Sequence, residues 1–149
     1  TRYWRDWSSD VCSSDLDELA RLVAHCQGKV DIHALFVRPD GAENASSWTS
    51  TDLWHLTEQI PGIELRVDDR GREARRFAAL TSGQTLLYGA DGSLLFQGGI
   101  TSSRGHSGAN SGRSSITALI HGESAESTWT EVFGCELETK QEAERCCRQ

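Results

Sequence analysis

The chain has 149 residues, of which 37% are hydrophobic and 25% are charged, and its formal net charge is −7. This length is typical of one globular domain with its own core. The acidic balance argues against nucleic acid or an anionic membrane surface as the main partner, since both require clustered positive charge. The sequence contains no long apolar run that would span a bilayer, and its first residues lack the apolar core of a secretory signal.

The first half of the chain shows two helical patterns that alternate with two strand patterns. Apolar residues recur at helical spacing before Gly28, which ends the first helix. The second helix has Ser50 or Thr51 as its N-cap and ends before Pro61. Alternating and wholly apolar stretches indicate the two strands. The predicted elements of this half are a helix at 17–27, a buried strand at 30–37, a helix between 51 and 60, and a strand at 63–67.

The second half shows a helix, a hairpin and a last helix. Two short apolar runs flank Asp91 and Gly92, a pair that favours the tight turn of an antiparallel β-hairpin. A loop rich in glycine and serine then precedes apolar residues at helical spacing, which end at Gly122. The predicted elements of this half are a helix at 72–80, strands at 85–88 and 94–96, a helix at 114–121, an extended piece at 129–137 and a charged tail at 138–149. The predicted order is therefore α-β-α-β-α-β-β-α.

The N-terminal residues are predicted to be foreign to the domain. Residues 6–16 read D-W-S-S-D-V-C-S-S-D-L, which resembles the in-frame translation of a sequencing-library adapter. We therefore expect an artefactual leader at 1–16, a domain at 17–137 and the tail at 138–149, and Cys12 is left out of functional reasoning. Finding this segment in the gene, read from intact genomic DNA, would overturn the expectation.

The order of elements after the leader resembles a thioredoxin-like domain, in which a βαβ unit is joined to a hairpin and a last helix. Residues 77–92, F-A-A-L-T-S-G-Q-T-L-L-Y-G-A-D-G, resemble the hairpin entry of extracytoplasmic thioredoxin-like proteins, where Gly83 stands at a usual cis-proline position. The string G-G-I-T-S-S-R-G-H at 98–106 and V-F-G-C at 132–135 are similar to a small bacterial thioredoxin-like family, RedB. The likeness covers residues 17–137.

This resemblance implies an α/β fold with a thioredoxin-like mixed sheet flanked by helices, from which the N-terminal strand and its redox motif are missing. It also implies that the intact protein is extracytoplasmic, in the periplasm, and held by an N-terminal membrane anchor. The missing strand would lie between the strands at 30–37 and 85–88, a place that Tyr3 and Trp4 of the leader could occupy. Each buried backbone group left unpaired costs about 1 to 3 kcal/mol, so we expect a marginally stable or aggregation-prone product.

Thiol–disulfide exchange requires a reactive thiolate and a second cysteine within bonding distance. No pair in residues 17–137 is predicted to meet this requirement. Cys26 lies on the apolar side of the first helix and is better explained as a small buried residue. Cys146 and Cys147 are adjacent and would close a strained ring, so they are interpreted as plain thiols. Cys135 is kept as the candidate catalytic thiol because it lies in the family-like region and could approach the active-site face, although simple burial is the favoured interpretation.

Two loops contain candidate binding residues. The loop before the last helix combines basic side chains with backbone N–H groups, which suits an anion, but docking of the loop through its arginines is the favoured interpretation. By the resemblance, the hairpin-entry loop faces the reactive cysteines, and glycine there leaves room for a substrate backbone. The histidines show no paired ligand spacing, so neither a metal site nor a cofactor is expected. The candidate residues are Arg104, His106, Asn110 and Arg113 in the first loop and Thr81, Ser82 and Gly83 in the second.

Three functions are consistent with the sequence. The first is a thiol–disulfide oxidoreductase family protein that acts on protein thiols or disulfides, or on a small redox partner, and is inactive in dithiol exchange as written. The second is a non-catalytic module that holds an anion or a protein through Arg104, His106 and Arg113. The third is a metal-delivery protein that uses the cysteines of the family and a histidine.

Overall fold

A computed structural model describes residues 2–3, 9–26, 28–38, 49–103 and 108–137. These residues form a mixed α/β arrangement of two small sheets and four helices. Its elements are β1 (Arg2–Tyr3), α1 (Ser9–His25), β2 (Ile32–Arg38), α2 (Asp52–Glu58), β3 (Ile63–Asp69), α3 (Arg72–Arg76), β4 (Thr85–Tyr88), β5 (Leu94–Gly98) and α4 (Ser111–Ile120). Over the described part of the chain, every helix is too short or too polar to cross a membrane.

The first sheet is parallel and has the order β1-β2-β3. Strand β2 pairs along its whole length with β3, from Ile32 opposite Ile63 to Arg38 opposite Asp69. Helices α1 and α2 supply the crossovers that parallel neighbours require. Strand β1 pairs with β2 only opposite Phe36 and Val37. Two leader residues therefore pair with the strand beside which the missing strand is predicted to lie.

The second sheet is the predicted antiparallel hairpin of β4 and β5. Its turn contains Gly92, whose φ of +81° is a left-handed conformation that glycine adopts without strain. The outer edge of β5 is covered by the extended piece, because Gln97 exchanges backbone hydrogen bonds with Thr128 and Thr130 at 3.0 and 3.3 Å. Among the described residues, β4 pairs with β5 alone. The two sheets are therefore not joined by strand pairing.

Three apolar clusters hold the helices against the sheets. The largest joins α1, β5 and α4, and Cys26 within it is 1% exposed, as expected for a small buried residue. A second cluster joins Val37 of β2 to Ala74 of α3, to Ala79 after that helix, and to Leu137. The third includes Leu16 of the predicted leader, which packs against Phe36 and Leu53. The core therefore uses the last residue of the segment that was predicted to be foreign.

Three helix boundaries differ from the predicted ones by three residues or more. Helix α1 begins at Ser9 rather than near residue 17, since extending a formed helix costs little and residues 9–16 contain neither glycine nor proline. Helix α3 ends at Arg76 rather than residue 80, because Ala78 has a φ of +52° that is incompatible with a helix. Helix α4 begins at Ser111 because Asn110 caps it. The predicted cap of α2 by Thr51 is confirmed.

Candidate functional site

Two segments that are far apart in sequence meet at the entry to the hairpin. Thr81 forms an antiparallel bridge with Glu136. The N–H of Ser82 donates to the carbonyl oxygen of Cys135 at 2.8 Å, and the N–H of Cys135 donates to Ser82 Oγ at the same distance. The structure therefore brings together Cys135, Thr81 and Ser82, whose roles as site residues remain predictions.

The two cysteines with described side chains have opposite surroundings. Cys135 is exposed and free, so its sulfur is accessible to another molecule. Cys26 is also free, but it lies in the largest apolar cluster, and this burial raises the pKa of its thiol despite the nearby positive charge of Lys29. Thiol chemistry with a partner in solution therefore favours Cys135 over Cys26.

Gly83 follows a backbone path that proline cannot adopt. Its φ is +79°, whereas the proline ring fixes φ near about −65°. The hairpin-entry loop thus turns here through a conformation suited to glycine. This position therefore differs from a cis-proline in backbone conformation as well as in side chain.

A buried carboxylate holds the start of α4. Glu18 is fully buried, and its Oε1 accepts hydrogen bonds from the N–H of Gly108 at 2.7 Å and from Arg21 Nη1 at 3.4 Å. Its Oε2 accepts from Asn110 Nδ2 at 3.1 Å and from Arg113 Nη1 at 2.6 Å. The side chain of Arg113 is only 20% exposed, whereas that of Arg21 is 51% exposed. We call Glu18, Gly108, Asn110 and Arg113 the Glu18 cluster.

The Glu18 cluster uses two of the residues predicted to bind an anion. Asn110 also caps α4, since its Oδ1 accepts from the N–H of Arg113 at 2.7 Å. These are the contacts expected if the loop docks through an arginine. Arg104 and His106, the other two residues of this prediction, lie outside the described residues.

The sequence reasoning did not identify Glu18, although its position carries a signal. Glu18 precedes Leu22 by four residues and Cys26 by eight, which places a carboxylate on the apolar face of α1. A charged residue on such a face requires a partner. Arg21, three residues later, is one such partner, but the sequence alone could not show that a second one would lie some 90 residues later.

A shallow cavity of about 320 Å³ lies beside the Glu18 cluster. His25, Arg113 and Glu123 all line it, so its charges are mixed rather than uniformly positive. An anion would therefore meet a carboxylate there as well as a guanidinium. The mixed charges of the cavity therefore do not favour an anion site there.

Of the three remaining cysteines, the structure places only Cys12. Cys146 and Cys147 lie outside the described residues, and Cys12 lies within α1. Within the ranges that the structure describes, no group of three or more histidine, cysteine, aspartate or glutamate residues is placed to hold a metal ion.

Comparison with known proteins identifies fold relatives only. The chain resembles two uncharacterised bacterial proteins. One is a hypothetical protein, SMc02350, from Sinorhizobium meliloti 1021, with a TM-score of 0.62 and 15% identity over 89% of this chain and 74% of that chain. The other is an uncharacterized conserved protein from Geobacillus kaustophilus, with a TM-score of 0.65 and 17% identity over 93% of this chain and 75% of that chain. No protein-family model and no curated protein matches the chain.

Proposed function

We propose that the chain is a thioredoxin-like protein of the thiol–disulfide oxidoreductase type. With the residues that it contains, it forms a mixed disulfide through Cys135 but does not carry out dithiol exchange. The observation that supports this proposal most directly is the contact of the exposed Cys135 with Ser82 in the hairpin-entry loop. The parallel pairing of β2 with β3, followed by the β4-β5 hairpin and α4, supports a thioredoxin-like interpretation of the fold. The partner would be a disulfide of a protein or of a small molecule.

The proposed step is a single thiol–disulfide exchange. The Cys135 thiol loses its proton, and its sulfur attacks one sulfur of the partner disulfide. The new bond joins Cys135 to the partner, the old disulfide bond breaks, and the released thiolate takes up the proton. Completion of a dithiol cycle would require a second thiol near Cys135, and the other described free cysteine, Cys26, is buried in the core.

The loop of Arg104, His106 and Arg113 is less favourable as the functional site. Arg113 already binds a buried carboxylate at 2.6 Å, and Asn110 caps a helix. A ligand anion would have to replace Glu18 or share its partners. The observed contacts are therefore better explained by support of the fold.

The test is incubation of the full chain with glutathione disulfide, followed by mass spectrometry of the intact protein and of its peptides. We expect one glutathione on Cys135 and none on Cys26, because only the first thiol is exposed. Two matched variants, Cys135→Ser and Cys26→Ser, separate the sites. Modification of native protein at Cys26, or none at Cys135, would contradict the proposal.

A further inference from the structure

Residues 134–137, here called the strap, lie along the backbone of residues 80–82. The N–H of Leu137 donates to the carbonyl oxygen of Leu80 at 2.8 Å, which adds to the two hydrogen bonds between Ser82 and Cys135. The bridge between Thr81 and Glu136 makes the pairing antiparallel. The strap therefore occupies this edge as a short added strand would.

Two residues of the strap determine what fits on this edge. A Cβ atom at Gly134 would overlap the backbone carbonyl oxygen of Ser82, so the close approach requires glycine. Leu137 is 3% exposed and packs with Val37, Ala74 and Ala79. The two residues between them are exposed. The edge thus selects a glycine followed, three residues later, by an aliphatic side chain.

We propose that the strap covers in cis an edge that can pair with an extended peptide partner, and that its release opens this edge. The inference rests on the proposed function, which makes the hairpin-entry loop the surface that meets a partner. The strap is held by two backbone hydrogen bonds to residues 80–82, by the bond from the Cys135 N–H to Ser82 Oγ, and by the packing of Leu137 against Val37, Ala74 and Ala79. An incoming strand of the same pattern can supply each of these contacts. The partner class is a peptide with glycine and, three residues later, an aliphatic residue.

Competition with the strap tests this inference. The probe is a fluorescent peptide, acetyl-Val-Phe-Gly-Ser-Glu-Leu-amide, which copies residues 132–137 with serine in place of the cysteine. Gly134→Ala and Leu137→Ala release the strap by a backbone clash and by loss of its anchor, whereas the control Glu136→Ala alters only an exposed side chain. Fluorescence anisotropy should give a Kd about tenfold lower, or more, for the two release variants than for the unaltered chain and the control.

A peptide affinity that is equal in all four proteins, with the release variants folded by circular dichroism, would overturn the inference. Dimers formed by exchange of the strap between two copies, detected by light scattering, would also overturn it, because the strap would then act in trans. The peptide carries no thiol. A failure of binding is therefore distinguishable from a failure of Cys135 to form a mixed disulfide.

Hydrogen exchange on the unaltered chain keeps the inference testable even if a release variant does not fold. The amides of Ser82 and Leu137 should exchange at least about tenfold faster than those at the β2-β3 pairing, because release of the strap opens them locally. Equal protection at both places would show that the strap opens only with the whole domain, and would overturn the inference.

Discussion

Replacement of Glu18 by glutamine removes one charge from a fully buried site without changing the size of the side chain. The glutamine oxygen can keep the bonds from Asn110 and Arg113, but its amide then faces the N–H of Gly108, which also donates. Alternatively, it can keep the bond from Gly108 and lose the other two. The first arrangement costs less. It leaves the N–H of Gly108 without its acceptor and also loses the longer bond from Arg21 at 3.4 Å.

The expected loss of stability follows from these contacts. Loss of one hydrogen bond to a charged group costs about 1.5 to 3 kcal/mol, and the two that remain lose their charge assistance. Arg113, which is 20% exposed, also loses its counter-charge. We therefore expect Glu18→Gln to lower the free energy of unfolding by about 3 kcal/mol, out of a total of about 5 to 15 kcal/mol.

Urea unfolding at 25 °C, followed by circular dichroism, measures this difference. The matched control is Glu64→Gln, because the side chain of Glu64 is 55% exposed and its ion pair with Arg66 is solvated. The control should change the free energy of unfolding by less than about 0.5 kcal/mol. Addition of Arg113→Met should give a double-mutant coupling of about 1 to 3 kcal/mol with Glu18→Gln. A Glu18→Gln effect no larger than that of the control would refute the structural role assigned to this carboxylate.

Three further predictions concern the hairpin entry, the buried thiol and the start of α3. Gly83→Pro should lower the free energy of unfolding by more than about 1 kcal/mol because proline cannot adopt a φ of +79°, and an unchanged urea midpoint would show that the loop has another conformation. Burial raises the pKa of Cys26, so the stability that its neutral form contributes is complete below the unfolded pKa and is lost as the pH rises through the folded pKa. The free energy of unfolding should accordingly fall more steeply above pH 9.0 for the unaltered chain than for Cys26→Ala, and parallel pH profiles would contradict this. Asp68→Ala should cost about 1 to 2 kcal/mol in urea unfolding, since the buried carboxylate accepts two backbone N–H groups of α3, and a loss below about 0.3 kcal/mol would exclude a capping role.

Local features of the sequence predicted local features of the fold. The cap at Thr51 and the turn at Asp91 and Gly92 are observed where they were expected, because each depends on residues within a few positions. The predicted start of α1 near residue 17 was wrong, because a helix can extend into residues 9–16 without any distinctive residue there. Asn110 was named as a candidate binding residue, which stays a prediction, and its role as the cap of α4 was not foreseen.

The candidate site depends on pairing between distant residues, which the sequence could not specify. Cys135 was singled out because of its surroundings in the chain, but its bonds to Ser82 join residues 53 positions apart. Glu18 was missed because Gly108, Asn110 and Arg113, which bind it most closely, lie beyond the reach of helical periodicity, whereas its partner Arg21 is three residues away. Contacts of this kind arise from how the elements pack, and no local pattern encodes them.

Formation of an internal disulfide by Cys135 tests the central claim most directly. The reduced full chain and Cys12→Ser, freed of reductant, are each mixed with excess glutathione disulfide, and mass spectrometry of the intact protein and of its peptides identifies every disulfide of Cys135. We predict one glutathione on Cys135 and no internal disulfide, because the other free thiol among the described residues, Cys26, is buried in the core. An internal disulfide of Cys135 that forms with release of both glutathiones, in the full chain and in Cys12→Ser, would contradict this prediction.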